Sequence, residues 1–483
     1  MAREFVGRRH ELAQLSDLLR KRTASLVTIQ GRRRIGKSTL VRHFCMLNKI
    51  SFFEFQGLPP RDGLSNQSQL HEFAKTLAKN IGTTPNNFES WTQAFEALDF
   101  LFSRESRKNK KFLILLDEIS WMGAKDADFA GQLKDAWDRL LSQNPNLILV
   151  VCGSVSSWIQ KNILDNTGFV GRVSREFRLS ELSIAESTQL LRLSLKRIST
   201  HEAAQVLAIT GGVPKYLEEF SPYKSVDVGI QQLCYTPSGF LFNELESIFS
   251  DTFGKKQTLY LKILKLLANG PLSPQDLAYK VEHPLNGDWS DHISNLELAG
   301  FIRRDFTWNF KNTTSKLSQL RLRDNYAKFY LKYIQPHKQR ITKLPQTATG
   351  AIPINWSTVF GLQFENLILN NLQNLVSLAQ IPQHEIVQIG PYFQSATKAK
   401  SGVQIDCLIQ CKKGILHLFE FKTGKNIGID VENDVMRKCN LLKMPRGFAI
   451  RQYLVYLGEL SEELRASDFF DRKIAFEELT ISD

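Results

Sequence analysis

The sequence predicts an α/β chain of several domains, and three observations point to it. An apolar strand at 26–30 runs straight into a glycine-rich loop and a helix. Two more strand-sized apolar runs, 112–116 and 147–152, end in polar residues. Toward the end of the chain, two apolar strands joined by a basic turn carry carboxylates among their apolar positions. Apolar strands alternating with helices are the pattern of a sheet covered on both faces. A length of 483 residues holds several domains at roughly 100–200 residues each.

Composition narrows the class. Apolar residues make up 42% and charged residues 23%, enough core for an ordinary globular chain. A disordered polyelectrolyte and a disulfide-stapled miniprotein are excluded. Cys45, Cys152, Cys234, Cys407, Cys411 and Cys439 show no framework spacing, so a reduced, cytoplasmic setting is expected. The charged start, Met1 to Arg9, lacks the apolar core of a signal peptide. No run approaches the roughly 18 apolar residues of a membrane span, so no membrane partner is expected.

The net charge of +13 is uneven. Residues 1–50 carry 12 basic and 3 acidic side chains, a net of +9. Residues 301–350 carry 11 and 2, again +9, which leaves the rest slightly acidic. Two local basic regions therefore need separate explanations.

The first surrounds Gly31-Arg-Arg-Arg34-Ile-Gly36-Lys37-Ser38-Thr39. This is G-x-x-x-x-G-K-[ST] between a strand and a helix, the pattern of a phosphate-binding P-loop. Gly31 and Gly36 let the backbone wrap a phosphate, and amide groups of the loop and helix start face the anion. Lys37 would neutralise the β- and γ-phosphates of ATP, and the Ser38 hydroxyl would ligate Mg²⁺. The strand 112–116 ends in Asp117-Glu118. Asp117 is expected to hold Mg²⁺ and Glu118 to polarise the attacking water. The strand 147–152 leads into Gly153-Ser154, where Ser154 is either a sensor between phosphate and water or a helix N-cap.

In the middle, apolar residues at 259, 263, 264, 266 and 267 predict a helix. Ser273 caps a second, and Trp289–Leu298 forms a third. A β-ribbon follows from Gly300. Three short helices and a hairpin suggest a winged helix. Such a module binds DNA or packs as a coupling element. Asp288, Asp291 and Glu297 on the third helix favour packing, because a major-groove reader should be basic. The second basic region comes next, interleaved with Trp308, Phe310, Tyr326, Phe329, Tyr330 and Tyr333. It reads as a polynucleotide contact or as a solvated face over core aromatics. A linker is expected at 344–353.

The last region holds the hairpin. Asp406 lies in strand 403–409, and Glu420 and Lys422 lie in strand 415–422 on one face. Buried charges of this kind must be paired or metal-bound. Asp406 and Glu420 suit a hard cation, and Lys422 can orient or deprotonate water. Glu365, on a helix upstream, is a candidate third ligand. Cys407 and Cys411 read as core. The alternatives are an ordinary surface Glu–Lys pair, or a nuclease fold that only binds.

Two resemblances follow from these residues. Phe5-Val-Gly-Arg8, the loop Gly31–Ser38, Asp117-Glu118, Cys152-Gly-Ser154, Gly171-Arg172 and Gly211-Gly-Val-Pro214 recur in the order seen in the archaeal-type ATPases, a branch of the AAA+/STAND P-loop class. That likeness implies that Arg172 or Arg175 contacts the γ-phosphate and that Gly211–Pro214 lies in a helical lid. The pattern Glu365, Asp406, Glu420-Phe-Lys422 resembles the PD-(D/E)xK nucleases, with Ile405 where the family usually has Pro. Together they imply an α/β P-loop ATPase with lid at 1–220, a winged helix and connector at 221–344, and a restriction-endonuclease-like domain at 345–483. The implied activity is an ATP-regulated, Mg²⁺-dependent DNA endonuclease. A non-cutting signalling ATPase and a DNA-binding regulator are the alternatives, and a protein partner or self-association stays open.

Overall fold

The computed structural model describes residues 4–106, 110–154, 156–308, 310, 315, 317–343, 355–394 and 401–481. The linker expected at 344–353, Lys311 and Lys316 lie outside the described residues. Among the described residues no helix is long and apolar enough to cross a membrane.

Chain contacts divide the protein into two units. One is Met1–Ser180 with Ile248–Lys255 and Ile293–Gly300; the other is Glu181–Ser247, Lys256–His292 and Phe301–Asp483. Gly211–Pro214 falls in the second of these units.

The first unit is built on five parallel strands: β1 (Ser25–Gln30), β2 (Ser51–Gln56), β3 (Phe112–Asp117), β4 (Leu147–Gly153) and β5 (Val173–Arg178). Their order is β2-β3-β4-β1-β5. Every residue of β1, β3 and β4 is buried. Alternation explains how both faces are filled. Leu26, Phe112, Ile114, Leu116, Leu149 and Val151 enter one core, which is rich in aromatic side chains such as Phe73, Trp91 and Phe129. Val27, Ile29, Leu113, Leu115, Ile148 and Val150 enter the other, against Leu40, Val41 and Phe44 of helix Lys37–Asn48. The three apolar runs read from the sequence are therefore the three central strands.

In the second unit, helices Gln257–Leu267 and Pro274–Val281 appear as expected, the latter capped by Ser273 Oγ accepting from the Asp276 amide. Helix Gly287–Leu298 follows along the chain. The β-ribbon is β6 (Ile302–Phe306) antiparallel to β7 (Ser318–Leu322), extended by a bridge between Leu272 and Leu320.

A second sheet holds β8 (Ile386–Gln394), β9 (Val403–Cys411), β10 (Ile415–Ile427), β11 (Ala449–Leu460) and β12 (Arg472–Ala475), in the order β12-β11-β10-β9-β8. The pairs β8–β9 and β9–β10 are antiparallel, and β10–β11 and β11–β12 are parallel. The turn between β9 and β10 is Lys412–Gly414, with Lys413 and Gly414 at φ 64° and 72°. Cys407 and Cys411 are buried core, as expected.

Candidate functional site

The phosphate loop is shaped by its glycines. At Gly31 (φ 151°) a Cβ would come within 2.8 Å of the Leu179 carbonyl oxygen, and Gly36 turns the chain into the helix at φ 88°. Arg34 also has positive φ, 71°. Lys37 is buried and donates from Nζ to the carbonyls of Gly31 (3.0 Å) and Arg32 (3.2 Å). Its ammonium thus spans the mouth of the loop. Arg8, held at φ 60°, clips the same loop by donating to the Ile35 and Ser180 carbonyls at 3.3 and 2.6 Å.

The parallel register brings the C-terminal ends of the strands level: Ile29 faces Cys152, and Gln30 faces Gly153. Ligand sites of open α/β sheets form at this edge. Ser38 Oγ donates to Asp117 Oδ2 at 2.5 Å. Asp117 Oδ1 accepts the Glu118 amide at 2.9 Å and the Cys152 thiol at 2.8 Å. Burial, with Asp117 second, pushes the Cys152 thiol well above its usual pKa, so it stays a donor. Glu118 has φ 50°, a strained conformation for a non-glycine residue. Its carboxylate accepts the Ser154 amide at 2.9 Å, and Ser154 Oγ lies 2.9 and 2.8 Å from its two oxygens. The Ser154 side chain is used to hold Glu118, a bond that neither role read from the sequence included.

Neither of the two arginines offered as alternatives for the γ-phosphate bonds to the loop in its described hydrogen bonds. Arg172 is gripped by Asp138 through Nε and Nη2 at 2.6 and 2.9 Å and donates to no residue of the loop in its described hydrogen bonds. Arg172, then Lys134, hold the Asp138 carboxyl down to about 2. Arg175 donates to the Ser174 carbonyl and is exposed. Within the first basic region, Arg33 pairs with Asp251, and Arg42 forks onto Glu54 at 2.9 and 2.5 Å.

The second carboxylate group gathers on β9, β10 and two helices. The β9–β10 ladder ends at Phe419 opposite Cys407, and Asp406 takes over one step later by accepting the Phe421 amide at 2.8 Å. Glu420 is 2% exposed and bound on both sides, by Lys422 Nζ at 2.9 Å and Lys438 Nζ at 2.5 Å. Lys438 was not singled out from the sequence. Its signal was there: on helix Asp430–Leu441 it follows Val431 and Val435 at helical spacing, a lysine in an apolar stripe. Asp406 keeps some exposed surface, yet enclosure by protein is the largest cause that pushes its carboxyl up to about 7, followed by Glu420 and Glu365. Glu365, on helix Trp356–Leu369, is also raised by burial, which Lys328 and Arg321 oppose. Lys422 is disfavoured as a cation by burial, but Glu420 outweighs this and raises its pKa. Glu365, Asp406 and Glu420 do not converge into a three-carboxylate cage; among the described residues the one such cluster of ligand atoms is elsewhere.

The second basic region is largely engaged within its own unit. Arg321 binds Asp305 (2.8 Å) and Asn366 (2.5 Å), and Arg323 binds Glu181 (2.6 Å). Lys328 donates to the Leu362 carbonyl, Lys332 to Asn269 and Lys338 to Glu246, each at 2.6 Å. Tyr326, Phe329 and Tyr330 are core. Of the two readings of this stretch, the aromatics follow the one that made them core, while most of the charges above are paired and not solvated. Arg340 and Lys343 remain exposed.

Comparison with known proteins agrees with the first site. The family described as an ATPase domain predominantly from Archaea matches residues 5–220. A protein of Methanocaldococcus jannaschii, itself uncharacterized, is 22% identical over 445 residues, covering 91% of this chain and 92% of that one. The Walker-type ATPase of Pyrococcus abyssi superposes with a TM-score of 0.50 at 17% identity, over 68% of this chain and 97% of that structure. The ORC2 protein of Aeropyrum pernix in ADPNP–ADP complexes gives 0.41 at 13% identity, over 71% and 96%. At such identities a structural likeness speaks to the fold alone. The loop, the paired carboxylates and the strand order over these residues agree with the match of 5–220 to that ATPase domain.

Proposed function

We propose that the chain hydrolyses ATP at Lys37–Glu118 and uses its nucleotide state to regulate a Mg²⁺-dependent DNA endonuclease activity at Asp406–Glu420–Lys422. One observation carries this reading: a complete phosphate-loop constellation and a lysine-flanked carboxylate pair on a central hairpin stand on one chain.

Ser38 Oγ and Asp117 Oδ2, 2.5 Å apart, are two hard oxygen donors beside the phosphate loop and fit Mg²⁺. When bound there, the ion supplies neutralisation of phosphate charge. Lys37 and the amides from Gly31 to Thr39 bind and orient the phosphates. Glu118 serves as proton acceptor for the attacking water once Ser154 releases it. Arg172 would reach the γ-phosphate only by giving up Asp138.

In the C-terminal region, Asp406 and Glu420 are the oxygen donors for a hard cation, with Glu365 nearby in electrostatic reach. Burial first, then the charges of Glu420 and Glu365, push the Asp406 carboxyl up to about 7, and a hard cation beside it would offset both. Lys422, held as a cation by Glu420, orients water or the scissile phosphate and does not act as the base. Lys438 holds Glu420 in place.

The test is cleavage of supercoiled plasmid with Mg²⁺, with and without ATP. Wild type should cleave, and Glu420→Ala should not. Equal cleavage by both, or none by wild type in any nucleotide state, removes the nuclease assignment. The second reading, a non-cutting signalling ATPase, is favoured by the engagement of Arg321, Arg323, Lys328 and Lys338 within the protein. It expects Lys37→Ala to abolish ATP turnover while DNA stays intact throughout. A DNA-binding regulator requires salt-dependent DNA affinity in filter binding.

A further inference from the structure

We infer that His283, Asp288 and His292 form a binding site for a divalent transition-metal ion, best suited to Zn²⁺, at the turn before helix Gly287–Leu298. The histidines drew no attention in sequence because no short His-x-x-x-His spacing joins them. Folding brings them together. Asp288 and His292 are one helical turn apart and share a face. His283 comes from the preceding loop, just after Glu282 ends helix Pro274–Val281 at φ 61°. One ring nitrogen from each histidine and a carboxylate oxygen of Asp288 all lie within 4.8 Å of one another.

The spacing is that of a coordination shell. Bonds of about 2.0–2.1 Å at tetrahedral angles put neighbouring ligand atoms roughly 3.3 Å apart. Asp288 Oδ2 is 3.4 Å from His283 Nε2 and 3.2 Å from His292 Nε2. The outer partners are also in place. His283 Nδ1 lies 2.9 Å from the Pro284 carbonyl, which can only accept, so Nδ1 donates there and Nε2 is the atom that faces Asp288. His292 Nδ1 lies 3.0 Å from the hydroxyl of buried Tyr260, which fixes that ring. Metal-binding histidines characteristically have their second nitrogen held in this way. Trp289 packs on His283 with ring centroids 5.4 Å apart.

Two imidazoles and one carboxylate select Zn²⁺ over Mg²⁺ or Ca²⁺, which favour all-oxygen shells. Asp288 is 57% exposed, so the fourth position opens to water. The ion would staple the loop between the two helices. This site is independent of the nuclease reading, and its test reads metal, not cleavage.

The experiment uses the full chain, stripped with EDTA, dialysed against Zn²⁺ and analysed for bound metal. Co²⁺ substitution is followed by visible absorption. Wild type should bind one equivalent more than His283→Ala or Asp288→Asn, and Asp288 is an exposed position whose substitution leaves the fold intact. It should also show intense four-coordinate Co²⁺ bands that these variants lack. Tyr260→Phe should keep the stoichiometry but weaken affinity roughly 10–100-fold. Equal metal content in wild type and both variants, or identical Co²⁺ spectra, overturns the assignment.

Discussion

Asp117 and Asp406 are both carboxylates on a β-strand of a five-stranded sheet, and their surroundings differ. Among the described residues Asp117 accepts three donors, from Ser38, Glu118 and Cys152, while Asp406 accepts one, from Phe421. Asp117 ends a parallel strand, where the loop and helix start supply donors from outside the ladder. Asp406 lies within a hairpin, next to two more acids, and its carboxyl rises to about 7. The first site is organised by hydrogen bonds; the second relies on the lysines that hold Glu420, and burial dominates at Asp406.

The largest expected effect lies on the organised side. Lys37→Ala should lower ATP turnover by at least roughly 100-fold, because the loop then lacks its buried cation. Turnover within a few-fold of wild type would break the comparison at its firmest point.

Next comes Lys438→Met. Removing one partner of a buried pair costs about 3–5 kcal/mol, and Lys422 stays on Glu420, so a loss of about 2 kcal/mol is expected in urea unfolding. Adding Glu420→Gln should recover part of that loss. If it does not, Lys438 acts by packing and the contrast weakens.

A smaller effect is set by pH. His417 is buried against Tyr453, and burial, with Arg451 second, lowers its pKa to about 4, opposed by Asp471. The unfolded chain binds the proton near 6.5 and the folded chain resists it. The stabilisation is therefore complete above pH 6.5 and is lost as pH falls toward 4. His417→Gln should flatten the stability-versus-pH profile in that window; an unchanged slope would assign the acid sensitivity to other groups.

The smallest belongs to Arg172→Ala. Its pair with Asp138 is exposed and screened by solvent, so stability should change little. ATP turnover should stay within about threefold of wild type. A large loss of turnover would show that Asp138 releases Arg172 to the nucleotide.

The nucleotide site was legible because its parts are contiguous. Gly31 to Thr39 are consecutive, and Asp117-Glu118 and Gly153-Ser154 directly follow strands that are apolar throughout. The pairing of Ser154 with Glu118 was not legible, since β3 and β4 adjacency sets it. Strands β2, β5, β8, β11 and β12 escaped notice because their apolar pattern is diluted, as the partly exposed positions of β2, β5 and β8 show. Lys438 hid for a related reason: on a helix, a lone lysine usually faces water. The ion pairs of the basic stretch 301–350 were not legible because charge counts register side chains but not their partners.

The sequence by itself determined the phosphate loop, the three central strands of its sheet and the carboxylate-bearing hairpin. Each is written in local order, where glycine conformation and two-residue alternation act directly on the backbone. Only the tertiary structure decided that Arg172 belongs to Asp138, that Glu118 is held by Ser154, that Glu420 lies between two lysines, and that His283 meets Asp288 and His292. Those outcomes depend on which charged and polar groups folding brings within about 3 Å. Composition cannot foretell that, since a charge buried without its partner is too costly to survive.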